Sequence, residues 1–283
     1  MVDHTFNYPN GQGAPLPSTI GGFRVLERAG GGKDSQASVY KAVDPVTGQE
    51  VAIKVLGSQY ESYELSLLAA LVGEKDREEL RREAQILYFL DHPNIVSVIQ
   101  TGEDPGLGPY TVMEWMPYGD LGAYKGMSLG DSLSVEEVLS IAKDILSALS
   151  AAHEAGVIHL DIKPGNILMG PNGRAKLADF GIAGGVSGSD VLAGRGTLGY
   201  MAPEQKDPQC THEIGPHTDI YALGIVLFEM LVGRRLSTEE ESWQLLSGVP
   251  EEVAKTLTRA LNIDPRQRFS SANEMVISLL GTK

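Results

Sequence analysis

Four polar side chains in one part of the chain could together transfer a phosphoryl group. They occur in the stretches HLDIKPGN and DFG. Asp161 could accept the proton of an attacking hydroxyl, and Lys163 could neutralise the charge that develops on the transferred group. Asn166 and Asp179 supply the oxygen ligands that Mg²⁺ prefers. These residue types therefore indicate phosphoryl transfer to a hydroxyl.

A third stretch, GTLGYMAPE at 196–204, completes a set that resembles the eukaryotic-type Ser/Thr protein kinases over about residues 22–280. Lys163 followed by Pro164 is similar to the Ser/Thr branch of that family, and the strings ASVYKA and MAPEQ resemble its bacterial members. The resemblance implies an α+β fold with two lobes. It also implies ATP as phosphate donor, Mg²⁺ with Mn²⁺ as the alternative, and protein hydroxyls as acceptors.

The pattern along the chain predicts the elements that must position these residues. Short β-branched runs separated by turn residues predict an antiparallel sheet in the first part of the chain, followed by one main helix near residues 80–90. Ser134 with Glu137 predicts the start of a long helix. The predicted strands are 23–26, 38–43, 50–56, 95–99 and 110–115, and the later helices lie near 134–153, 219–232, 250–261 and 271–280.

The resulting domain organisation is a small β-rich lobe followed by a larger, mostly helical lobe. We expect a flexible N-terminal tail at 1–20, a first lobe at 21–116 and a second lobe at 117–283. An insertion at about 57–76 lengthens the first lobe. It could contact a partner or pack on its own lobe.

The resemblance assigns a phosphate-binding lysine to the third strand. Lys54, in the run VAIK, would contact the α- and β-phosphates. Glu83 is the best partner for Lys54, because it shares a helix face with Leu80 and Leu87. Glu79 is the alternative partner.

The resemblance also assigns residues to the nucleotide. The glycine run from Gly30 to Gly32 stands where a phosphate-covering loop is expected, although Ala37 replaces the last glycine of the usual pattern. Met113 resembles the residue beside the adenine pocket, and Glu114 to Met116 resemble the segment whose backbone binds adenine. The positions that would enclose the adenine ring are Val39, Ala52, Leu121 and Leu168.

Further positions match pairings within the family. Thr197 would contact both Asp161 and Lys163. The other expected pairings are Glu204 with Arg268, Asp219 with the backbone of the catalytic stretch HLDIKPGN, and His159 stacked with Phe180, Leu87 and Val98.

One position departs from the family pattern. Leu160 stands where an arginine usually captures a phosphate carried by the activation segment. Residues 179–204 contain seven glycines and only three Ser or Thr residues, Ser187, Ser189 and Thr197. The sequence therefore predicts activity that does not depend on phosphorylation of this segment.

Composition limits the possible partners and compartment. The 23 basic and 37 acidic side chains give a net charge of −14, which argues against binding to nucleic acid or anionic membranes. Cys210 is the only cysteine, so no internal disulfide can form, and a cytoplasmic location is expected. The apolar run 220–228 is too short to cross a bilayer, so no membrane segment is predicted.

Two other functions remain open at this point. The irregular glycine run and Leu160 would fit a pseudokinase that acts as a nucleotide-binding scaffold. A small-molecule kinase could have a similar catalytic stretch, but such enzymes usually lack a peptide-positioning run like GTLGYMAPE.

Overall fold

A computed structural model of the protein describes most of the chain in two compact units. The described residues are 16–30, 37–56, 90–124, 132–180, 184–185, 196–207, 209–234, 246 and 248–281. The first unit contains the described residues up to 56 together with 98–115, and the second contains 90–97 and 116–281. Several predictions fall outside the described residues. They are the main helix near 80–90, most of the tail at 1–20, the insertion at 57–76, and those on Gly32, Glu79, Glu83, Leu87, Ser187 and Ser189.

The first unit is built on a six-stranded antiparallel sheet. Its strand order is β1-β2-β3-β4-β6-β5. The strands are β1 Thr19–Ile20, β2 Phe23–Gly30, β3 Ala37–Val43, β4 Glu50–Leu56, β5 Val98–Asp104 and β6 Gly108–Glu114. The sequence patterns of β2, β3, β4 and β6 predicted these strands to within a few residues.

One face of this sheet carries an apolar core. Alternate residues of β4, including Val51, Ile53 and Val55, are buried against Phe23 and Val112. Because successive side chains of a strand point to opposite faces, Ala52 and Lys54 lie on the other face.

The second unit is mostly helical. Its helices are α1 Val135–Glu154, α2 Pro203–Lys206, α3 Pro216–Val232, α4 Glu251–Ala260 and α5 Ala272–Leu280, and its short strands are β7 Val157–Ile158, β8 Ile167–Met169, β9 Ala175–Leu177 and β10 Gly184–Gly185. A 3₁₀ turn at Pro164–Asn166 precedes β8. No helix among the described residues is both long and apolar enough to cross a bilayer.

The sequence explains where helix α1 begins and where helix α3 ends. The backbone N–H of Glu137 donates to Ser134 Oγ at 3.3 Å, and the Glu137 side chain accepts from the Ser134 backbone, so the predicted capping box begins α1. The helix α3 is buried on nearly every side and ends at Gly233, whose φ of 72° is readily adopted by glycine. This helix forms the centre of the apolar core in the second unit.

The predicted strand at 95–99 differs from the observed one. The strand β5 begins only at Val98, while Ile95 forms a parallel bridge with Leu177 and the Val96 N–H donates to the Leu177 carbonyl at 2.9 Å. Residues 90–97 therefore belong to the second unit. A β-branched run predicts extended backbone but not the strand with which it pairs.

Candidate active site

The backbone of the catalytic stretch, HLDIKPGN at 159–166, is hydrogen-bonded to a buried carboxylate on α3. Asp219 Oδ1 accepts the backbone N–H of Leu160 at 2.8 Å, and Oδ2 accepts that of His159 at 2.9 Å. His153, near the end of α1, places Nε2 2.8 Å from Oδ2 of Asp219. Burial opposes ionisation of Asp219, but the hydrogen bond from His153 and the neighbouring N–H groups outweigh it and lower its pKa.

Four side-chain groups converge immediately after this anchor. The Asp161 carboxylate accepts the hydroxyl of Thr197 at 2.8 Å and the amide of Asn166 at 3.0 Å. Lys163 Nζ lies 2.7 Å from Asp161 Oδ2 and donates to the Thr197 hydroxyl at 2.9 Å. Thr197 thus bridges the two charged groups, as the resemblance predicted. A carboxylate held by several donors stays in one orientation, which a proton acceptor requires.

Backbone contacts connect this cluster to the DFG stretch. The Ala178 N–H donates to the carbonyl of Asn166 at 2.8 Å, and the Ala178 carbonyl lies 3.0 Å from His159 Nε2. His159 Nδ1 accepts the N–H of Asp161 at 3.3 Å, so Nε2 carries the ring proton. The rings of His159 and Phe180 lie 4.6 Å apart between centroids. The residue before Asp179 is therefore fixed against the catalytic stretch.

The donor set fits a hard divalent cation. The amide nitrogen of Asn166 donates to both the backbone carbonyl and the carboxylate of Asp161, so its amide oxygen is the atom left to act as a ligand. Asp179 has an exposed side chain and a φ of 61°, in the left-handed region that a non-glycine residue seldom adopts. Asn166 and Asp179 are the residues that would hold Mg²⁺.

Four of the predicted nucleotide residues of the first unit share the sheet face opposite its core. Lys54 pairs directly with Val39 on β3, and Ala52 pairs with Met113 on β6. Directly opposed residues of antiparallel strands point to the same face, so these four side chains form one patch. Val39 and Lys54 are half-buried. Gly30 and Glu114 end strands β2 and β6.

The other predicted nucleotide positions lie in the second unit. Leu168 is half-buried on β8, whereas Met116 and Leu121 are buried. The Leu121 side chain is fully buried in the core of this unit. Its backbone N–H donates to the carbonyl of Ile167.

A buried ion pair fixes the end of the GTLGYMAPE stretch. Glu204, on α2, forms a two-pronged pair with Arg268, at 2.7 and 2.9 Å, and accepts the Thr218 hydroxyl at 2.8 Å. The remaining Arg268 N–H groups donate to the backbone carbonyls of Asn262, Ile263 and His217. Burial opposes ionisation of Glu204, but Arg268 outweighs it and lowers the pKa of Glu204.

Most of the chain matches one protein family. Residues 23–280 match the family described as "Protein kinase domain". The chain belongs to the protein kinase family. As a kinase-family protein it is α+β, with an antiparallel sheet in one unit and mostly helices in the other, as the sequence predicted.

Curated relatives of this kinase domain are bacterial Ser/Thr kinases. Serine/threonine-protein kinase PrkC of Bacillus subtilis is 35% identical over 276 residues, which cover 90% of this chain and 39% of PrkC. PksC of Streptomyces coelicolor is 34% identical, covering 94% of this chain and 50% of PksC. PknA of Mycobacterium tuberculosis is 36% identical, covering 77% and 48%. The chain spans half or less of the length of these relatives.

Two residues of the kinase site were not found from the sequence. His153 and Gln205 both bind the catalytic stretch, His153 through Asp219 and Gln205 through the carbonyl of Leu160. A lone histidine or glutamine at a helix end has no distinctive local pattern. The only sequence signal was the MAPEQ string, which ends at Gln205.

Proposed function

We propose that this chain is an active ATP-dependent Ser/Thr protein kinase that transfers the γ-phosphate of ATP to hydroxyls of protein substrates. The observation that carries the proposal is the network that joins Asp161, Lys163 and Thr197 at 2.7–2.9 Å. This network sets a proton acceptor beside a cation, and those are the two groups that transfer to a hydroxyl requires.

Each residue then has a chemical role. Asp161 orients the substrate hydroxyl and accepts its proton, while Lys163 neutralises charge on the phosphoryl group. Lys54 contacts the α- and β-phosphates, and Glu83 is its proposed partner. Mg²⁺ or Mn²⁺, when bound by Asn166 and Asp179, would neutralise phosphate charge.

A pseudokinase is the first alternative. The groups that such a protein would have lost are present, because Lys54, Asp161, Asn166 and Asp179 all stand at their expected positions. The Asp161 carboxylate also accepts hydrogen bonds from Asn166 and Thr197. These observations favour catalysis over a scaffold role.

A small-molecule kinase is the second alternative. Here the peptide-positioning stretch is joined to the catalytic residue, since the Thr197 hydroxyl donates to Asp161. Glu204 and Arg268 anchor the other end of the same stretch. These contacts at both ends of residues 196–204 support a protein substrate.

We further propose that activity does not require a phosphate on the activation segment. Leu160 is only 3% exposed and packs with Ile158 and Ile214. Its N–H and carbonyl are bonded to Asp219 and Gln205. Protein groups thus hold this position, and the leucine offers no charge to capture a phosphate.

The charge and cysteine content support the remaining proposals. A net charge of −14 favours protein partners over nucleic acid, and a single cysteine fits a cytoplasmic location. The insertion at 57–76 keeps both of its sequence-based interpretations, a partner contact or packing on its own lobe.

The catalytic proposal can be tested by label transfer. The purified chain with Mg²⁺ and γ-labelled ATP should label a generic basic protein on Ser or Thr, and should label small alcohols far less. Asp161→Asn should abolish transfer. Asp264→Asn is a matched control, because Asp264 caps the 3₁₀ turn Pro265–Gln267 by accepting the Arg266 N–H, and an asparagine can keep that role. Labelling that persists in Asp161→Asn, or that favours small alcohols, would refute the proposal.

A further inference from the structure

One glutamine joins the catalytic stretch to the peptide-positioning stretch within the second unit. Gln205 Oε1 accepts the backbone N–H of Ala202 at 2.9 Å, and Gln205 Nε2 donates to the backbone carbonyl of Leu160 at 2.9 Å. The residue is only 1% exposed. A buried amide that satisfies two backbone groups at once is a rigid connection, since breaking either bond would remove a hydrogen bond from a buried region.

The carbonyl that Gln205 holds belongs to a strained position. Leu160 has a φ of 68°, which lies in the left-handed region that residues other than Gly, Asn and Asp seldom adopt. Such a conformation persists only where neighbouring contacts enforce it. Asp219 bonds the N–H of Leu160 and Gln205 bonds its carbonyl. The Leu160 carbonyl shares its peptide plane with the N–H of Asp161, so fixing one fixes the other.

The peptide-positioning stretch passes close to the same carbonyl. A Cβ on Gly196 would lie 2.7 Å from the Leu160 carbonyl oxygen and 3.4 Å from Gln205 Nε2. Gly196 also has a φ of 114°, which glycine tolerates. The next residue, Thr197, bonds the Asp161 carboxylate. Asp161 is therefore fixed through its backbone by Gln205 and through its side chain by Thr197.

We propose that Gln205 is a positioning residue for phosphoryl transfer, which couples the backbone of Asp161 to the peptide-positioning stretch without any phosphate. In a chain with Leu160 in place of arginine, this amide supplies a permanent connection between the two stretches. The inference rests on the proposed kinase function.

Gln205→Glu tests the connection with little change of shape. The ionised carboxylate can still accept from Ala202, but its second oxygen would face the Leu160 carbonyl and repel it. The protonated acid can donate to that carbonyl and restore the bridge. Burial beside a carbonyl oxygen favours the protonated form, so the bridge should return as the pH falls.

The expected result is a pH-dependent defect in peptide phosphorylation. At pH 8, Gln205→Glu should lower kcat about tenfold or more, because small displacements of reacting groups are costly, and should raise KM for peptide but not for ATP. The ratio of variant to wild-type kcat should rise towards one as the pH falls to 6. Gln205→Asn, which keeps the amide but loses reach, should show the defect without the pH-dependent recovery.

Asn94→Asp is the matched control. The buried Asn94 amide donates to the Ala175 carbonyl at 3.0 Å, so this substitution also sets a carboxyl group against a buried carbonyl. It should lower thermal stability by a similar amount while leaving kcat within about twofold of wild type. Equal kcat losses in Gln205→Glu and Asn94→Asp, or an unchanged kcat in both Gln205 variants, would overturn the inference.

Hydrogen exchange separates this inference from the kinase function itself. At pH 8, Gln205→Glu should speed amide exchange in both 159–163 and 196–202, while Asn94→Asp should not. This result reports the connection even if the wild-type chain transfers no phosphate, an outcome that would refute the kinase proposal alone. Unchanged exchange in either stretch would overturn the inference.

Discussion

Replacing the Thr197 hydroxyl by a methyl group should isolate its contribution to positioning Asp161. Thr197→Val keeps the shape of the side chain but removes the donor to Asp161 Oδ1 at 2.8 Å and the acceptor of Lys163 at 2.9 Å. Asp161 would keep Asn166 as a donor and its 2.7 Å contact with Lys163. The variant should therefore fold, with Asp161 less well oriented.

The size of the effect follows from the bond to the charged acceptor. A hydrogen bond to a charged group contributes about 1.5–3 kcal/mol. Because Lys163 and Asp161 remain in direct contact, we count one such bond, which corresponds to a loss in kcat/KM of about 10- to 150-fold. The loss should fall mainly on kcat, since the hydroxyl acts on the reacting group.

Steady-state phosphorylation of a peptide by Thr197→Val, Thr197→Ser and the wild type is the assay. Thr197→Ser retains the hydroxyl and should stay within about threefold of the wild-type kcat. Thermal unfolding of all three proteins checks that the fold is intact. If Thr197→Val folds and keeps a kcat within threefold of wild type, the hydroxyl does not position Asp161 and this reasoning is refuted.

Three further predictions concern stability and nucleotide binding. Arg268→Leu should lower the free energy of unfolding by about 3–5 kcal/mol, because Glu204 would stay buried without its counter-ion. A decrease of less than about 1 kcal/mol, measured by chemical denaturation, would contradict this. Acid should destabilise the fold, since Glu204 and Asp219 have lowered pKa values. Their contribution is complete above about pH 5 and is lost as the pH falls through the folded pKa values, so unfolding free energies that stay flat from pH 5 to 2.5 would contradict it. Lys54→Met should reduce transfer at least about 100-fold while leaving the unfolding temperature nearly unchanged, and a kinetic loss below tenfold would exclude Lys54 from phosphate binding.

Elements with strong local signals were predictable from the sequence. The capping box of Ser134 and Glu137 begins α1 one residue after Ser134, because both of its hydrogen bonds form within one turn. The strand β4 alternates between the core and the opposite face, and the predicted range 50–56 equals the observed one. In both cases a few neighbouring residues contain the whole physical cause.

Pairings across the chain depended on the family resemblance. Glu204 and Arg268 are 64 residues apart in sequence, and no periodicity connects them. The resemblance predicted this pair as well as the contacts of Thr197 and Asp219, and all three are observed. Local patterns cannot predict such contacts, because the tertiary fold brings the partners together.

Features without a local signal were missed or misplaced. The two-residue strand β10, which pairs Gly184 with Ile158, has no alternating pattern. Ile95 has high β propensity, yet its partner is Leu177 and not a strand of the six-stranded sheet. Gln205 satisfies two backbone groups that only the tertiary fold brings within its reach. These failures share one cause, since each contact is decided by a distant part of the chain.

The initial rate of phosphate transfer by the phosphate-free chain tests the central claim most directly. The protein would be treated with phosphatase, its intact mass checked for the absence of phosphate, and the rate on a Ser/Thr peptide measured at once with Mg²⁺ and ATP. We expect transfer without a lag, at a rate within about threefold of the untreated protein and abolished by Asp161→Asn. No transfer, or a lag that ends only as the activation segment becomes phosphorylated, would contradict the account.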